Sequence, residues 1–202
     1  MTLFHNKYRI ESNRLKDWNY SSNAMYFVTI CTNNFKHYFG EISVQDGIFI
    51  MNLSETGKKA IKFWSEIPKH YPFVILDAFI VMPNHVHGII LINKQENISF
   101  GVETQYFVSQ NENKNLHDVE TQNIASLPNF IVNKFGPQSQ NLASIIRGFK
   151  IGVTKFCKQN RLDFCWQDRY YDHIIRNNTT LSRIQNYIEN NTDNWKKDKF
   201  FN

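Results

Sequence analysis

The chain has 202 residues, of which 42% are hydrophobic and 15% aromatic, so it can bury one substantial core and is predicted to form a single domain over residues 1–202. The formal net charge of +5 permits a polyanionic partner such as nucleic acid without requiring one. Three cysteines without a CxxC spacing argue against a disulfide framework or a thiolate zinc site. A charged N-terminus and no apolar run of roughly 18 to 20 residues predict a cytoplasmic protein with neither signal peptide nor membrane span.

The first part of the chain predicts strands and one helix. Aromatic and β-branched residues at 26–31 favour a strand, and residues 42–53 predict a hairpin with a central Asp-Gly turn. These strands are expected to start an antiparallel sheet. Ser54 is a candidate N-cap for a helix that runs to about Lys69 and covers one face of that sheet.

Two strongly apolar runs follow, residues 73–82 and His85–Ile92. Pro83 and Asn84 separate them and favour a turn, so the two runs predict a central hairpin. Residues 93–137 are rich in Asn, Gln and Ser and have no clear periodicity. We expect this stretch to be a partly disordered insertion and not a second domain.

The last part of the chain predicts a helix, a short strand and a final helix. Apolar residues recur at helical spacing over residues 142–156, with basic residues largely off that stripe. A strand is expected around residues 173–176, and Thr179 or Thr180 should cap the final helix. Helices alternating with antiparallel hairpins predict an α+β fold, an antiparallel sheet with packed helices like a ferredoxin-like or RNA-recognition-motif palm.

Two histidines, His85 and His87, occupy alternate positions at the start of a predicted strand. Side chains two residues apart in a strand point to the same face, so both imidazoles should face one way and Val86 the other. Neutral imidazole is a common ligand of divalent metals, and a rigid strand would hold the pair ready for one ion. The alternative is a pair of partly buried histidines bonded to backbone or solvent, and the spacing alone does not decide between the two.

Tyr187 and Asn191 are four residues apart in the final predicted helix, which places them one above the other on one face. A phenol can form a covalent enzyme intermediate, but with an ordinary pKa of about 10 it needs a metal or a base to help it near neutral pH. Tyr187 could equally be an aromatic residue at the edge of the core. Tyr170 and Tyr171 are rival nucleophiles, because the residue pattern does not say which phenol faces the histidines.

Three ordered motifs carry a resemblance to a known family: VMPNHVHG at residues 81–88, WQDRYYDHIIRN at 166–177 and YIENN at 187–191. Together they resemble the single-tyrosine HUH transposases, and most of all the REP-associated tyrosine transposases. The resemblance covers most of the chain outside the N-terminal leader and the insertion. It has two departures, the length of the insertion and Thr192, which replaces a frequent proline and would let the final helix continue.

The resemblance implies that His85, His87 and Asn191 hold a divalent metal, Mg²⁺ or Mn²⁺, and that Tyr187 is the nucleophile. The implied reaction is the cleavage and rejoining of single-stranded or hairpin DNA through a 5'-phosphotyrosine, as in DNA transposition. It also implies a protein associated with the nucleoid, acting as a monomer or a homodimer. His173 and Arg176 are expected to support the metal site or to contact DNA. Four further basic residues are expected to contact DNA: Arg147, Lys150, Lys158 and Arg169.

Three roles are left open for His173: support of the metal site, contact with DNA, or packing in the core. Two other functions also compete with the transposase interpretation. One is a non-catalytic, domesticated module that binds nucleic acid, since a basic and aromatic palm can bind single strands without chemistry. The other is a replication-initiating or conjugative HUH nuclease, which the absence of a second tyrosine in the same helix disfavours.

Overall fold

A computed structural model describes residues 3–4, 7–8, 14–15, 17–94 and 139–201. The insertion predicted at residues 93–137 therefore lies outside the described residues from position 95 onward. Among the helices within these ranges, none is both long and apolar enough to cross a membrane.

The secondary structure alternates short strands with helices. The strands are β1 (Leu3–Phe4), β2 (Lys7–Tyr8), β3 (Ala24–Cys31), β4 (Gly40–Gln45), β5 (Ile48–Leu53), β6 (Val74–Met82), β7 (His85–Ile92) and β8 (Tyr171–Ile175). The α-helices are α1 (Glu55–Ser65), α2 (Ile67–His70), α3 (Leu142–Gln159) and α4 (Asn178–Glu189). Short 3₁₀ helices lie at Asn33–Phe35 and Trp195–Lys197.

The main sheet has four antiparallel strands in the order β6-β7-β3-β8. With its helices, the chain runs β3-α1-β6-β7-α3-β8, which is the βαββαβ pattern of a ferredoxin-like fold. The predicted α+β class and palm are therefore confirmed. The hairpin predicted around Pro83 is present, and it supplies the inner strand β7 and the edge strand β6.

The predicted hairpin at residues 42–53 also forms, but its place in the fold differs from the prediction. Strands β4 and β5 pair with each other as a separate two-stranded sheet and do not start the main sheet. Asp46 and Gly47 make the turn with φ values of 50° and 80°. This left-handed conformation suits the twist of a tight hairpin and is tolerated by these two residue types.

The helix predicted after Ser54 is divided into α1 and α2. The Ser54 hydroxyl accepts a hydrogen bond from the Gly57 amide at 3.1 Å, which confirms the predicted N-cap. Pro68 has no N–H to donate to the Trp64 carbonyl, and its ring would clash with that carbonyl in a continuous helix. The chain therefore leaves the α1 helix at Glu66 before α2 begins.

Helix α4 begins at a different cap from the one predicted. Asn177, and not Thr179 or Thr180, is the N-cap, and its Oδ1 accepts from the Thr180 amide at 2.8 Å. The prediction was wrong because an asparagine two residues earlier satisfies the same free amides of the first turn.

The expected continuation of α4 past Thr192 is also wrong. The helix ends at Glu189 and is followed by turns and the 3₁₀ helix. Asn190 and Asn194 each donate a side-chain hydrogen bond to the carbonyl four residues earlier. Asparagine side chains compete in this way with regular helical bonding, so the chain turns even without a proline.

The two faces of the main sheet are covered differently. One face, here called the core face, packs against α1 and α3 through an extended apolar cluster that includes Trp64, Ile90 and Phe149. The other, here called the α4 face, packs against α4 through a smaller apolar cluster. That cluster consists of Phe27, Ile89, Ile175, Ile184 and Ile188.

Candidate active site

His85 and His87 lie side by side on the α4 face at the start of β7. Their ring centroids are 4.5 Å apart, and the residues are 0% and 1% exposed. Val86, between them, is buried in the cluster on the core face. The strand period thus places the two imidazoles together, as the sequence predicts.

Each imidazole is oriented through its Nδ1 atom. Thr29 Oγ1 lies 2.9 Å from His87 Nδ1, and Asn84 Oδ1 lies 2.8 Å from His85 Nδ1. The Asn84 amide nitrogen donates to the Phe200 carbonyl, so the Asn84 oxygen is the acceptor and His85 Nδ1 must carry the proton. The lone pair of His85 is then on Nε2, a buried atom with no hydrogen-bond partner among the described residues.

Burial sets the charge state of both rings. Burial, with a smaller contribution from the Lys199 ammonium, lowers the pKa of His85 to about 3. It also lowers the pKa of His87 well below its ordinary value, with a smaller contribution from His85. Both imidazoles are therefore neutral at neutral pH, which is the form that binds metals.

Helix α4 brings the Tyr187 hydroxyl to this pair. The hydroxyl lies 3.2 Å from His87 Nε2 and donates to Asp198 Oδ2 at 3.3 Å. Burial, together with the Asp198 carboxylate, raises the pKa of Tyr187 to about 12. Such a phenol is protonated at neutral pH and needs a positive charge nearby to act as a nucleophile.

Asn191 reaches the same place from just beyond the end of α4, and not from within the helix. The residue is 1% exposed, and its amide nitrogen donates to Asp198 Oδ2 at 3.2 Å. Its amide oxygen is buried and has no partner among the described residues. No pattern in the sequence marks Asp198, because that residue lies outside the three motifs and no spacing connects it to the histidines.

The donor atoms at this place suit a divalent cation. His85 Nε2 and Asn191 Oδ1 are buried and unpartnered, a state that costs on the order of 1–3 kcal/mol for each atom. The ligand atoms of His85, His87 and Asp198 all lie within 4.8 Å of one another. Neutral imidazole nitrogens, an amide oxygen and a carboxylate together form a mixed ligand set for such an ion.

Tyr170 and Tyr171 lie elsewhere. The Tyr170 hydroxyl accepts a hydrogen bond from Arg14 at 2.7 Å, and its ring packs against the core-face cluster. Tyr171 stands on the edge strand β8 and is 49% exposed, with its ring edge-on to Phe27. Among the described tyrosines, Tyr187 is the one whose hydroxyl lies within hydrogen-bond distance of a histidine of the pair.

The basic residues predicted to contact DNA are not gathered around the histidine pair. Arg147 and Lys158 are exposed on α3, which packs on the opposite face of the sheet. Lys150, on the same helix, donates through its ammonium to the carbonyls of Gln167 and Arg169 and so fastens the loop before β8. The DNA contacts of these residues stay predictions.

His173 and Arg176 are both exposed at the β8 edge of the sheet, which excludes core packing as the role of His173. They line a cleft of about 680 Å³ together with Arg14, Asp172 and Asn177. Two guanidinium groups, an imidazole and the Asp172 carboxylate therefore meet at one edge, and the guanidinium groups are donors that can contact an anionic ligand.

Comparisons with known proteins agree with this architecture. A solved structure of a REP-associated tyrosine transposase bound to a REP hairpin aligns with 93% of this chain and 74% of that one, with a TM-score of 0.53 at 16% identity. The chain therefore has the fold of that tyrosine transposase. The resemblance indicated by the three motifs is confirmed in the fold.

A second comparison places the chain in a sequence family. An uncharacterized protein of Haemophilus influenzae Rd is 35% identical over 189 residues, which are 93% of this chain and 91% of that protein. The chain belongs to the family of that protein. No family model matches the chain.

Proposed function

We propose that the protein cleaves and rejoins single-stranded DNA at hairpin or repeat-associated sequences, with Tyr187 as the nucleophile, as in DNA transposition. The observation that carries the proposal is the 3.2 Å separation between the Tyr187 hydroxyl and His87 Nε2. This contact joins the phenol to a buried group of metal-ligating atoms. The fold shared with a transposase that binds a REP hairpin supports DNA as the substrate.

The covalent step exchanges one phosphate ester for another. The Tyr187 oxygen attacks the phosphorus of a DNA phosphodiester, and the bond from phosphorus to the 3'-oxygen breaks. The phenol loses its proton and the departing 3'-oxygen gains one, so the products are a 5'-phosphotyrosine and a free 3'-hydroxyl. Attack by a second 3'-hydroxyl on the phosphotyrosine reverses the step and joins two ends.

His85, His87 and Asn191 would hold a divalent metal, Mg²⁺ or Mn²⁺, through the two imidazole Nε2 atoms and the amide oxygen. When bound, the cation supplies positive charge that favours the phenolate and offsets negative charge on the phosphate. Thr29 and Asn84 keep the two imidazoles in position through Nδ1.

DNA would reach the site from the β8 edge. We infer that His173 and Arg176, which line the cleft there with Arg14, contact the phosphate backbone by charge-assisted hydrogen bonds. Arg147, Lys158 and Arg169 are exposed and could follow a longer DNA element around the sheet. Such an enzyme would act on DNA in the cytoplasm, close to the nucleoid.

A covalent adduct tests the proposal. Wild type, Tyr187→Phe and Tyr171→Phe would be incubated with labelled single-stranded hairpin DNA, with and without Mn²⁺, and resolved by denaturing electrophoresis. We expect a metal-dependent adduct with wild type and Tyr171→Phe and a loss of at least about 10³-fold with Tyr187→Phe. Tyr171→Phe is the matched control, because that phenol also lies on the α4 face.

Other outcomes lead to other conclusions. An adduct that persists in Tyr187→Phe would move the nucleophile to another tyrosine. Hairpin binding that needs no metal, with no adduct for any hairpin, would instead favour a non-catalytic module that binds DNA. Cleavage without rejoining would favour a nicking enzyme of the replication-initiating kind.

A further inference from the structure

The carboxylate of Asp198 lies inside the group of atoms assigned above to the metal and the nucleophile. Its Oδ2 accepts from the Tyr187 hydroxyl at 3.3 Å and from the Asn191 amide at 3.2 Å. Its Oδ1 accepts from the Phe200 amide at 2.8 Å. Asp198 therefore has a fixed orientation, with one oxygen turned toward the site.

The segment Asp198–Phe201 also covers the histidines. The Phe200 ring centroid is 4.6 Å from that of His85 and 6.1 Å from that of His87. The Asn84 side chain, which orients His85, donates to the Phe200 carbonyl at 2.8 Å. This covering leaves the two histidines 0% and 1% exposed, so a DNA phosphate cannot touch them while the segment is in place.

The distances allow Asp198 to share an ion with the histidines. Two ligands on opposite sides of one ion, each about 2.0–2.2 Å away, are at most about 4.4 Å apart. The ligand atoms of His85, His87 and Asp198 lie within 4.8 Å of one another. Each pair of these ligand atoms is therefore no more than about 0.4 Å beyond the largest separation that one ion can bridge, and side-chain adjustment would bring Asp198 and the histidines onto a shared ion.

The Asp198 carboxylate would also balance the charge of a bound cation. The imidazoles of His85 and His87 and the amide of Asn191 are neutral ligands, and a dication held by them alone would be a buried, uncompensated charge. A carboxylate reduces that charge. A DNA phosphodiester offers the same chemistry, an anionic oxygen with one negative charge, and it must lie against the same tyrosine to react.

We propose that Asp198 is a ligand of this metal in the absence of DNA and that it yields its place to the DNA phosphate when the segment Asp198–Phe201 opens. The inference rests on the proposed function for its second half, while the first half concerns metal binding alone. Asp198 acts as an internal substitute for the substrate, which keeps the metal bound and the two histidines covered between reactions.

The contacts that hold the segment are non-covalent and can be exchanged for DNA contacts. They include the Asn84 hydrogen bond to the Phe200 carbonyl, the tilted contacts of the Phe200 ring with His85 and Phe35, the contact of Phe201 with Trp195, and the two hydrogen bonds to Asp198 Oδ2. The Lys199 ammonium, 4.7 Å from the Phe200 ring centroid and 5.7 Å from that of Tyr171, can pair with an incoming phosphate as the segment moves.

The first test measures Mn²⁺ binding to the full chain by calorimetry, without DNA. Asp198→Asn keeps the size of the side chain and removes the charge, and we expect its Mn²⁺ affinity to fall about tenfold or more. Asp198→Glu should recover part of the loss. Asp193→Asn is the matched control, an exposed carboxylate in the turn after α4, and it should bind like wild type. Equal affinity of Asp198→Asn and wild type would overturn the ligand role.

The second test repeats these titrations in the Tyr187→Phe background, with the single-stranded hairpin oligonucleotide that the protein binds most tightly. If the phosphate takes the place of Asp198, saturating DNA should abolish the tenfold difference in Mn²⁺ affinity between Tyr187→Phe and the double variant that also carries Asp198→Asn. A difference that persists with DNA would make Asp198 a permanent ligand and overturn the exchange. Because the readout is metal affinity, the absence of any covalent adduct would reject the proposed reaction without affecting this result.

Discussion

The two faces of the main sheet are built from the same strands, but one carries the main apolar core and the other carries the candidate metal site. On the core face, β3 and β7 contribute Tyr26, Val28, Val86 and Ile90 to an apolar cluster under α1 and α3. On the α4 face, the same strands contribute Thr29 and the two histidines, which are just as deeply buried. Neighbouring residues of a strand point to opposite faces, so a side chain that stabilises the core lies next in sequence to one that can bind a metal.

The two faces also differ in how they accommodate buried polar atoms. The core face is packed tightly enough that the Trp64 ring lies against Gly88, where a Cβ atom would overlap the ring. The α4 face has the smaller apolar cluster. Among the described residues, the unmatched buried polar atoms on this side are His85 Nε2 and Asn191 Oδ1, the candidate metal ligands, whereas the unmatched one on the core face is the Trp64 indole nitrogen. Changes on the core face should therefore affect stability, and changes on the α4 face should affect metal binding.

The largest effect is expected on the core face. Ile90 is fully buried in β7, so Ile90→Ala should lower the free energy of unfolding by about 2–5 kcal/mol through lost burial and a residual cavity. Its Mn²⁺ affinity, measured below the melting temperature, should stay near that of wild type. Ile151→Ala is the control, since that residue is 58% exposed on α3, and urea titration should show little change. A comparable loss for both variants would contradict the packing assigned to the core face.

The next effect concerns pH and belongs to the α4 face. The pKa of His85 is lowered from 6.5 to about 3 by burial, so between those values the unfolded chain binds more protons than the folded one. The stability that the folded protein gains from this lowered pKa is fully present above about pH 6.5 and is lost as the pH falls toward 3. For the metal-free protein in EDTA, lowering the pH from about 7 to about 5 should remove about 2 kcal/mol through this residue.

Urea titrations at the two pH values would measure that loss. His85→Gln should depend less steeply on pH than wild type, because the group responsible is removed. An identical pH dependence for the two proteins would show that His85 is not held neutral by burial.

The smallest of the three effects tests how the histidines are held. Thr29→Val keeps the shape of the side chain but removes the hydroxyl that lies 2.9 Å from His87 Nδ1. We expect Mn²⁺ affinity to fall about tenfold, about 1.4 kcal/mol, because the imidazole loses its fixed orientation. Thr179→Val, at an exposed threonine at the start of α4, should leave the affinity unchanged. Unaltered binding in Thr29→Val would mean that packing alone orients His87.

Much of the fold was predictable because its signals are local. Strand β7 follows from an apolar run after Pro83 and Asn84, and α3 follows from its apolar stripe. The errors occurred where two local signals compete. Asn177 displaces the threonines as the cap of α4, and Pro68 divides the helix that begins after Ser54.

The candidate site was predictable in part for the same reason. The alternation in β7 predicts that His85 and His87 share a face, and helical spacing predicts that Tyr187 and Asn191 lie close together, although Asn191 reaches the site from just beyond the end of α4. The face itself and the depth of burial were not predictable. Neither were Thr29, which pairs with His87 across strands, and Asp198, which returns to the site after a turn.

The sequence by itself determined most of the elements, the α+β class and the motifs that resemble a tyrosine transposase, since periodicity, turn residues and motif spacing act over a few neighbouring positions. Only the tertiary structure decided that the Tyr187 hydroxyl lies 3.2 Å from His87 and not beside another group. It also decided that Asp198 and Phe200 close over the histidines. The two contacts of the Tyr187 hydroxyl join residues 100 and 11 positions apart, and such contacts depend on how the helices pack on the sheet.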